Sequence, residues 1–312
     1  MSEVSASMVK ELREKTGAGM MDCKSALAQA GDMDGAIKIL REKGLARAAK
    51  KTSRVAAEGL IALSVDAKRA AMIELNCETD FVARNDDFKK LTVDLARVAL
   101  AFDVPAGANK TNLEGQMLAS CKMASGQSVE AVITEKVATI GEKIDLRRFC
   151  VLSEGELYGS YIHGAGSIGV LVECKLNDKS LATQEDVQQA ARDVAMHIAA
   201  ASPTFISETD IPTSWIDSER AIFRAQVIGS GKPENMVDKI VDGKMSKHKK
   251  DYCLLDQPFV KNPDQTVQGM LDELKKKTGA AMTISKMVRF KVGEGIEKKE
   301  DNFAEEVKKM TA

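Results

Sequence analysis

Two stretches of the chain run in step, 99 residues apart: Ile73 in MIEL falls opposite Val172 in LVEC, and VDLARVAL, from Val93, falls opposite RDVAMHIA, from Arg192. Each copy opens with two apolar runs that read as a strand hairpin, GLIALSVD with RAAMIELNC in the first and GELYGSYIHG with SIGVLVECKL in the second. Each hairpin leads into an amphipathic helix. In the first copy Phe88, Leu91, Leu95 and Val98 share one helical face. A proline follows each helix, Pro105 and Pro203. One hairpin with one helix cannot bury both faces of its sheet, so the repetition predicts a core made by pairing two such units.

The copies part company between strand and helix. The first reads CETDFVARNDD and the second CKLNDKSLATQED, so a ring, Phe81, stands in a connection of one copy only. A need common to both copies would keep the ring in both. Two readings follow: Phe81 covers its own helix beside Phe88, or it serves something outside the shared core.

The flanks have a different character. SASMVKELREKTGAG places Met8, Val9 and Leu12 on one stripe, with Gly17 and Gly19 ending the helix. MMDCKSALAQAGD carries Met21, Ala26 and Leu27 on a second helix. DMDGAIKILREKG carries Ala36, Ile37 and Leu40 on a third, closed by Gly44, with Asp22 and Asp34 as helix-start acids. LARAAKKTSRVAAEG then reads as an exposed helical or flexible tether. QSVEAVITEKVATIGEK predicts a further helix before residue 145. From Ser214 to Asp251 two amphipathic helices meet at Ser230 to Pro233, an antiparallel helical hairpin, with Ile222, Phe223 and Val227 facing inward on one and Met236, Val237, Ile240 and Val241 on the other. Thr266 starts a helix with Val267, Met270 and Leu271 inward. A strand alternates through Ile284, Val288, Phe290 and Val292, and DNFAEEVKKM closes as a short helix. The expected class is α+β, divided as a three-helix domain with tether (1–55), a first core subdomain (56–145), a second (146–206 and 251–292), the helical hairpin (207–250) and a C-terminal module (264–312) overlapping the second subdomain.

Composition excludes more than it assigns. The net charge of −1 gives no bulk electrostatic footprint for nucleic acid. The six cysteines include no CxxC and read as reduced, mostly buried thiols of a cytoplasmic protein. No apolar run is long enough to cross a membrane, and MSEVSASMVKELREK lacks the apolar middle of a secretory signal. The three histidines, His163, His197 and His248, are far apart in sequence, and neither HExxH nor GxSxG occurs. GAGSIG, Gly164 to Gly169, matches a dinucleotide fingerprint, but an apolar strand follows it where a helix is required, so the glycines read as a tight hairpin turn. The acids of EGIEKKEDNFAEE lack the alternating spacing of a calcium loop.

VKELREKTGAGMMDCKSAL, CETDFVARND, HGAGSIGVLVE, SGKPENMVDKIVDGKM and VRFKVGEGIEK, in this order, resemble the bacterial translation elongation factor Ts family over essentially the whole chain. The resemblance implies a guanine-nucleotide exchange factor for elongation factor Tu, promoting GDP release by disturbing the magnesium and phosphate site, with no catalytic residue, metal or cofactor of its own. It implies an N-terminal bundle like a ubiquitin-associated domain, a duplicated antiparallel sheet-and-helix core, a protruding helical hairpin and a C-terminal module. Its partner-binding residues fall on Thr79, Asp80, Phe81 and Val82 as an exchange wedge, on Tyr161, His163 and Gly164 as a second contact, and on Lys10, Leu12, Arg13, Met20 and Met21 in the N-terminal domain. It implies no direct nucleic-acid binding and no membrane, with pairing of two copies through the hairpin in some members. Two competing classes are a scaffold that recruits partners through the small bundle and a nucleotide-binding enzyme acting through GAGSIG.

Overall fold

The computed structural model describes residues 4–230 and 233–297, apart from the side chains of Leu45, Arg47 and Ala48. The expected closing helix DNFAEEVKKM lies outside the described residues. Helices and strands mix with the sheets as an α+β protein. The chain forms two compact units. Among the described residues, one holds 4–62 with Ile73–Cys150 and 291–297; the other is Leu63–Met72 with the described part of Val151–Phe290.

The first unit opens with three helices, α1 (Ala6–Thr16), α2 (Met20–Ala30) and α3 (Met33–Lys51). Ser5 caps α1 by accepting from the Met8 amide, and Asp32 caps α3 by accepting from Gly35. Val9, Leu12, Cys23, Ala26, Leu27 and Ala36 form the small core between them. Gly44 does not close α3, which runs seven residues further to Lys51. A Cβ at Gly44 would stand 3.0 Å from the Ala138 Cβ, so the glycine lets α3 cross α6 (Val129–Ile140) closely. The expected tether is likewise held. Lys143 Nζ donates to the carbonyls of Thr52 and Arg54, at 2.9 and 3.0 Å.

The first repeat is β1 (Glu58–Val65), β2 (Ala70–Cys77), the five-residue helix α4 (Asp80–Arg84) and α5 (Asp86–Ala101). β3 (Leu113–Glu114), α6 and β4 (Ile144–Leu152) follow, and the sheet order is β1-β2-β4-β3. The second repeat is β5 (Leu157–His163), β6 (Ile168–Leu176), a 3-10 turn over Lys179–Thr183 and α7 (Glu185–Ala201). The helical hairpin comes next, α8 (Thr213–Gly229) and α9 (Glu234–Tyr252). β7 (Pro258–Phe259), β8 (Asn262–Thr266), α10 (Val267–Thr278) and β9 (Met282–Lys291) complete the described chain. β9 lies beside β6 as β4 lies beside β2, so the repeat extends to a third strand that the sequence periodicity alone does not reveal. Val267, Leu271, Leu274, Met282 and Ile284 pack in one core with Val170, Val172, Val194 and Ile198. The segment from Asp264 to Phe290 therefore completes the second repeat.

The repeat also keeps a buried acid. Glu74 on β2 and Glu173 on β6, again 99 residues apart, are 0% and 1% exposed. The Glu74 carboxylate lies 3.1 Å from Arg147 Nη1 and 2.6 Å from Arg148 Nε, and accepts from the Gly293 amide at 2.8 Å. Glu173 accepts from Ser285 Oγ at 2.9 Å and the Glu154 amide at 2.9 Å, with Lys286 Nζ 3.5 Å away. In each copy the third strand brings the cation to the middle strand's acid, as a buried charge requires.

In the helical hairpin Val227, Val237, Val241 and Met245 are buried against Trp215, Ile216, Phe223 and Ile240. Ile222 and Met236, expected inward, are exposed, because two helices bury only a narrow stripe of each other. No helix of the described residues is long and apolar enough to cross a membrane.

Candidate functional site

β2 ends at Cys77, and the chain turns at once into α4. Thr79 is the cap: its hydroxyl accepts from the Val82 amide at 3.4 Å. The same hydroxyl donates to Glu142 Oε1 at 2.6 Å, and the Thr79 amide donates to Glu142 Oε2 at 3.0 Å. Asp80 pairs with Arg84 at 2.8 Å, one turn on. Ala83 is buried and Val82 half-buried, which seats one side of the turn. The remaining side carries Phe81, whose ring is 80% exposed. The reading in which Phe81 covers its own helix fails on this point; Phe88 performs that role and is fully buried. Sequence reasoning treats this stretch as a plain connection, and the structure makes it a helical turn.

The second copy supplies an internal control. Its 3-10 turn, Lys179–Thr183, lies 99 residues beyond Asp80–Arg84, and α7 begins 99 residues beyond α5. Asp178 caps it as Thr79 caps α4, by accepting from the Ser180 amide at 2.9 Å. The position of Phe81 is taken by Ser180. The repeat thus needs the turn and does not need the ring.

The second predicted contact lies at the end of β5. Tyr161 and His163 point to the same side of the strand. Their rings are 6.2 Å apart, with the Tyr161 hydroxyl 3.3 Å from His163 Nδ1. Tyr161 packs its ring on the core, whereas His163 is exposed. Gly164 and Gly166 have φ of 60° and 105°, which a side chain would strain, and the chain returns directly into β6 with His163 paired to Ile168. GAGSIG is a hairpin turn with no helix behind it.

The N-terminal residues divide. Lys10, Arg13, Met20 and Met21 are exposed, Met21 at 77%. Leu12 is fully buried in the bundle core, a correction to its expected place on the contact surface, since the i, i+3 spacing from Val9 turns it inward. A cleft of about 580 Å³ between the bundle and α6 is lined by charges of both signs, among them Lys15, Asp22, Arg41, Lys43, Glu130 and Glu135. None of the described His, Cys, Asp and Glu side chains gather in a group of three or more that would hold a metal.

Comparison with known proteins decides the family. Residues 78–294 match the family model described as Elongation factor TS. Relatives named Elongation factor Ts include those of Clostridium perfringens (strain SM101 / Type A), 49% identical over 98% of this chain and 99% of the relative, and Clostridioides difficile (strain 630), 47% identical over 99% of each. That of Clostridium novyi (strain NT) is 46% identical over 98% of each. The chain belongs to the elongation factor Ts family. The span matched by the elongation factor Ts model opens at Glu78, one residue before the Thr79 cap, and takes in α4, Tyr161 and His163. The elongation factor Ts relatives extend the likeness over the N-terminal bundle as well.

Glu142 is the residue at this site that sequence reasoning missed. It follows the helix stop at Gly141 as an ordinary surface acid would, and its partners lie 63 and 64 residues away. No local pattern carries that distance.

Proposed function

We propose that this chain is a guanine-nucleotide exchange factor for elongation factor Tu, acting in the cytoplasm without catalysing a chemical reaction. Family membership supports the partner. The observation that carries the mechanism is the exposed ring of Phe81 on a capped turn whose counterpart in the second repeat has no ring.

An exchange factor has to favour the nucleotide-free GTPase over the nucleotide-bound one. The coupling is reciprocal, so the nucleotide weakens the factor's hold by the ratio that the factor weakens the nucleotide's. A thousandfold weakening corresponds to about 4 kcal/mol. Burying one Phe in a partner pocket supplies about 1.5–3 kcal/mol of it. Several contacts therefore act together. In this reading Phe81 inserts beside the partner's magnesium site, and Asp80, held by Arg84, engages neighbouring polar groups. Disturbing the ion loosens the phosphates, because the ion is the largest local positive charge there. Tyr161 and His163 grip a second surface. Lys10, Arg13, Met20 and Met21 contact the GTPase domain. Exposed Ile222, Ile228 and Met236 support pairing of two copies through the helical hairpin, which light scattering across a concentration series checks.

The test is the release of fluorescently labelled GDP from elongation factor Tu at substoichiometric amounts of the chain. Acceleration with turnover supports exchange, and Phe81→Ala is expected to abolish most of it. Binding without acceleration would make the chain a scaffold.

A further inference from the structure

The junction after α6 grips two segments distant in sequence. Toward α4, the Glu142 carboxylate accepts from the amides of Glu78 and Thr79, at 3.2 and 3.0 Å, and from the Thr79 hydroxyl at 2.6 Å. Beside it the Lys143 amide donates to Glu78 Oε1 at 2.6 Å. Toward the end of α3, Lys143 Nζ binds the carbonyls of Thr52 and Arg54, and Lys51 Nζ donates to the Gly141 carbonyl. Arg54 closes the circuit on Glu78 at 3.1 Å.

We infer that Glu142 is a positioning residue for the exchange wedge, fixing the direction in which Phe81 projects. The inference rests on the reading of Phe81 given above. A helix of five residues does not hold itself together. The Phe81 ring, standing in solvent, does nothing to orient it. Buried Ala83 seats one side of the turn, the cap fixes its start, and Glu142 holds the cap. The Thr79 hydroxyl has one proton. Glu142 takes it, which leaves a hydroxyl lone pair aimed at the Val82 amide. In the second repeat the segment after α10 holds the turn in part, the Ala281 amide donating to Asn177 Oδ1 at 2.7 Å as the Lys143 amide does to Glu78, but Ala280 stands where Glu142 stands and there is no ring. There Asp178 caps with its own carboxylate, accepting from the Ser180 amide and hydroxyl at 2.9 and 2.8 Å. The carboxylate on the cap and the exposed ring occur together, in one copy.

The experiment compares Glu142→Ala, Glu142→Gln, Phe81→Ala and the Glu142→Ala/Phe81→Ala double variant in the full chain. GDP release from elongation factor Tu is followed across factor concentrations. Loss of a charge-assisted hydrogen-bond cluster is expected to lower the maximal stimulation about tenfold in Glu142→Ala, with the half-saturating concentration within about twofold, because the other contact surfaces are intact. Glu142→Gln, which keeps acceptor and size, is expected to fall between. In the free factor, amide exchange at Val82 speeds up in Glu142→Ala, and adding Thr79→Asp, which copies the self-capping of Asp178, restores protection and part of the stimulation. The double variant is expected to be no slower than Phe81→Ala. Full stimulation by Glu142→Ala beside an impaired Phe81→Ala would overturn the brace alone, as would losses that multiply in the double variant. Full stimulation by Phe81→Ala would instead overturn the wedge on which the brace depends.

Discussion

Phe81 leaves most of a large apolar side chain in water, and the fold gains little from it. Truncation there belongs with surface substitutions, whose effect on stability stays within about 0.5 kcal/mol. Phe81→Ala is therefore expected to melt with the parent chain in calorimetry while failing to stimulate GDP release; a clear drop in melting temperature would instead make the ring part of the core. Glu74 is the opposite case. Its carboxylate is fully buried between Arg147 and Arg148 and also holds the Gly293 amide. Glu74→Ala takes the buried acid from Arg147 and Arg148, of which Arg148 keeps Glu294 at 3.4 Å, and breaking a buried pair costs about 3–5 kcal/mol. Urea unfolding is expected to show that loss, with a smaller one for Glu74→Gln, which still accepts a hydrogen bond.

At the scale of elements, periodicity marks the long helices and the two hairpins because each buries a stripe that repeats locally. The 99-residue offset marks the duplication for the same reason. Gly44 misleads: a glycine after an apolar stripe reads as a stop, yet the reason for it is Ala138 on another helix, nearly a hundred residues on. The residues proposed as the wedge come from the family motif, whereas α4 is too short for periodicity and the contacts that hold it come from another segment. His197 on α7 is equally opaque to sequence. Its Nδ1 accepts from the Val260 amide at 3.2 Å. Its Nε2 is 2.9 Å from Gln257 Oε1, whose amide nitrogen in turn donates to the Asp251 carbonyl at 2.6 Å. The Gln257 amide is thereby oriented, and the imidazole is fixed as the neutral form protonated on Nε2. Burial holds its pKa below the ordinary 6.5, against an upward pull from Gln257. The unfolded chain takes up a proton near 6.5 and the folded chain only at lower pH. Stability from this group is then full above that pH and falls as pH drops below it. Urea midpoints between pH 8 and 5 are expected to decline, and His197→Gln to flatten that decline even if it lowers the midpoint throughout.

Across the whole molecule the same linkage operates with opposite sign through the thiols. The described cysteines are thiols outside any disulfide, and all but Cys121 are buried. Both compact units hold thiols that resist ionisation. In the first, burial pushes Cys77 up to about 12, with the charges of Glu142 and Glu58 adding to it. In the second, burial pushes Cys174 to about 12 and Cys253 to about 11, from an ordinary 9.0. Thiolate is the reactive form, so these three sites are expected to stay unmodified by Ellman's reagent at pH 8 in the native chain, while denaturant exposes all six cysteines. The folded chain keeps protons that the unfolded chain releases above 9. Stability is complete below pH 9 and falls as pH rises toward 11 to 12. Unfolding midpoints at pH 8 and 10.5 measure the loss. Cys77→Ala and Cys174→Ala together are expected to reduce the difference between the two pH values, and a difference unchanged by both would assign the alkaline loss to groups other than these thiols.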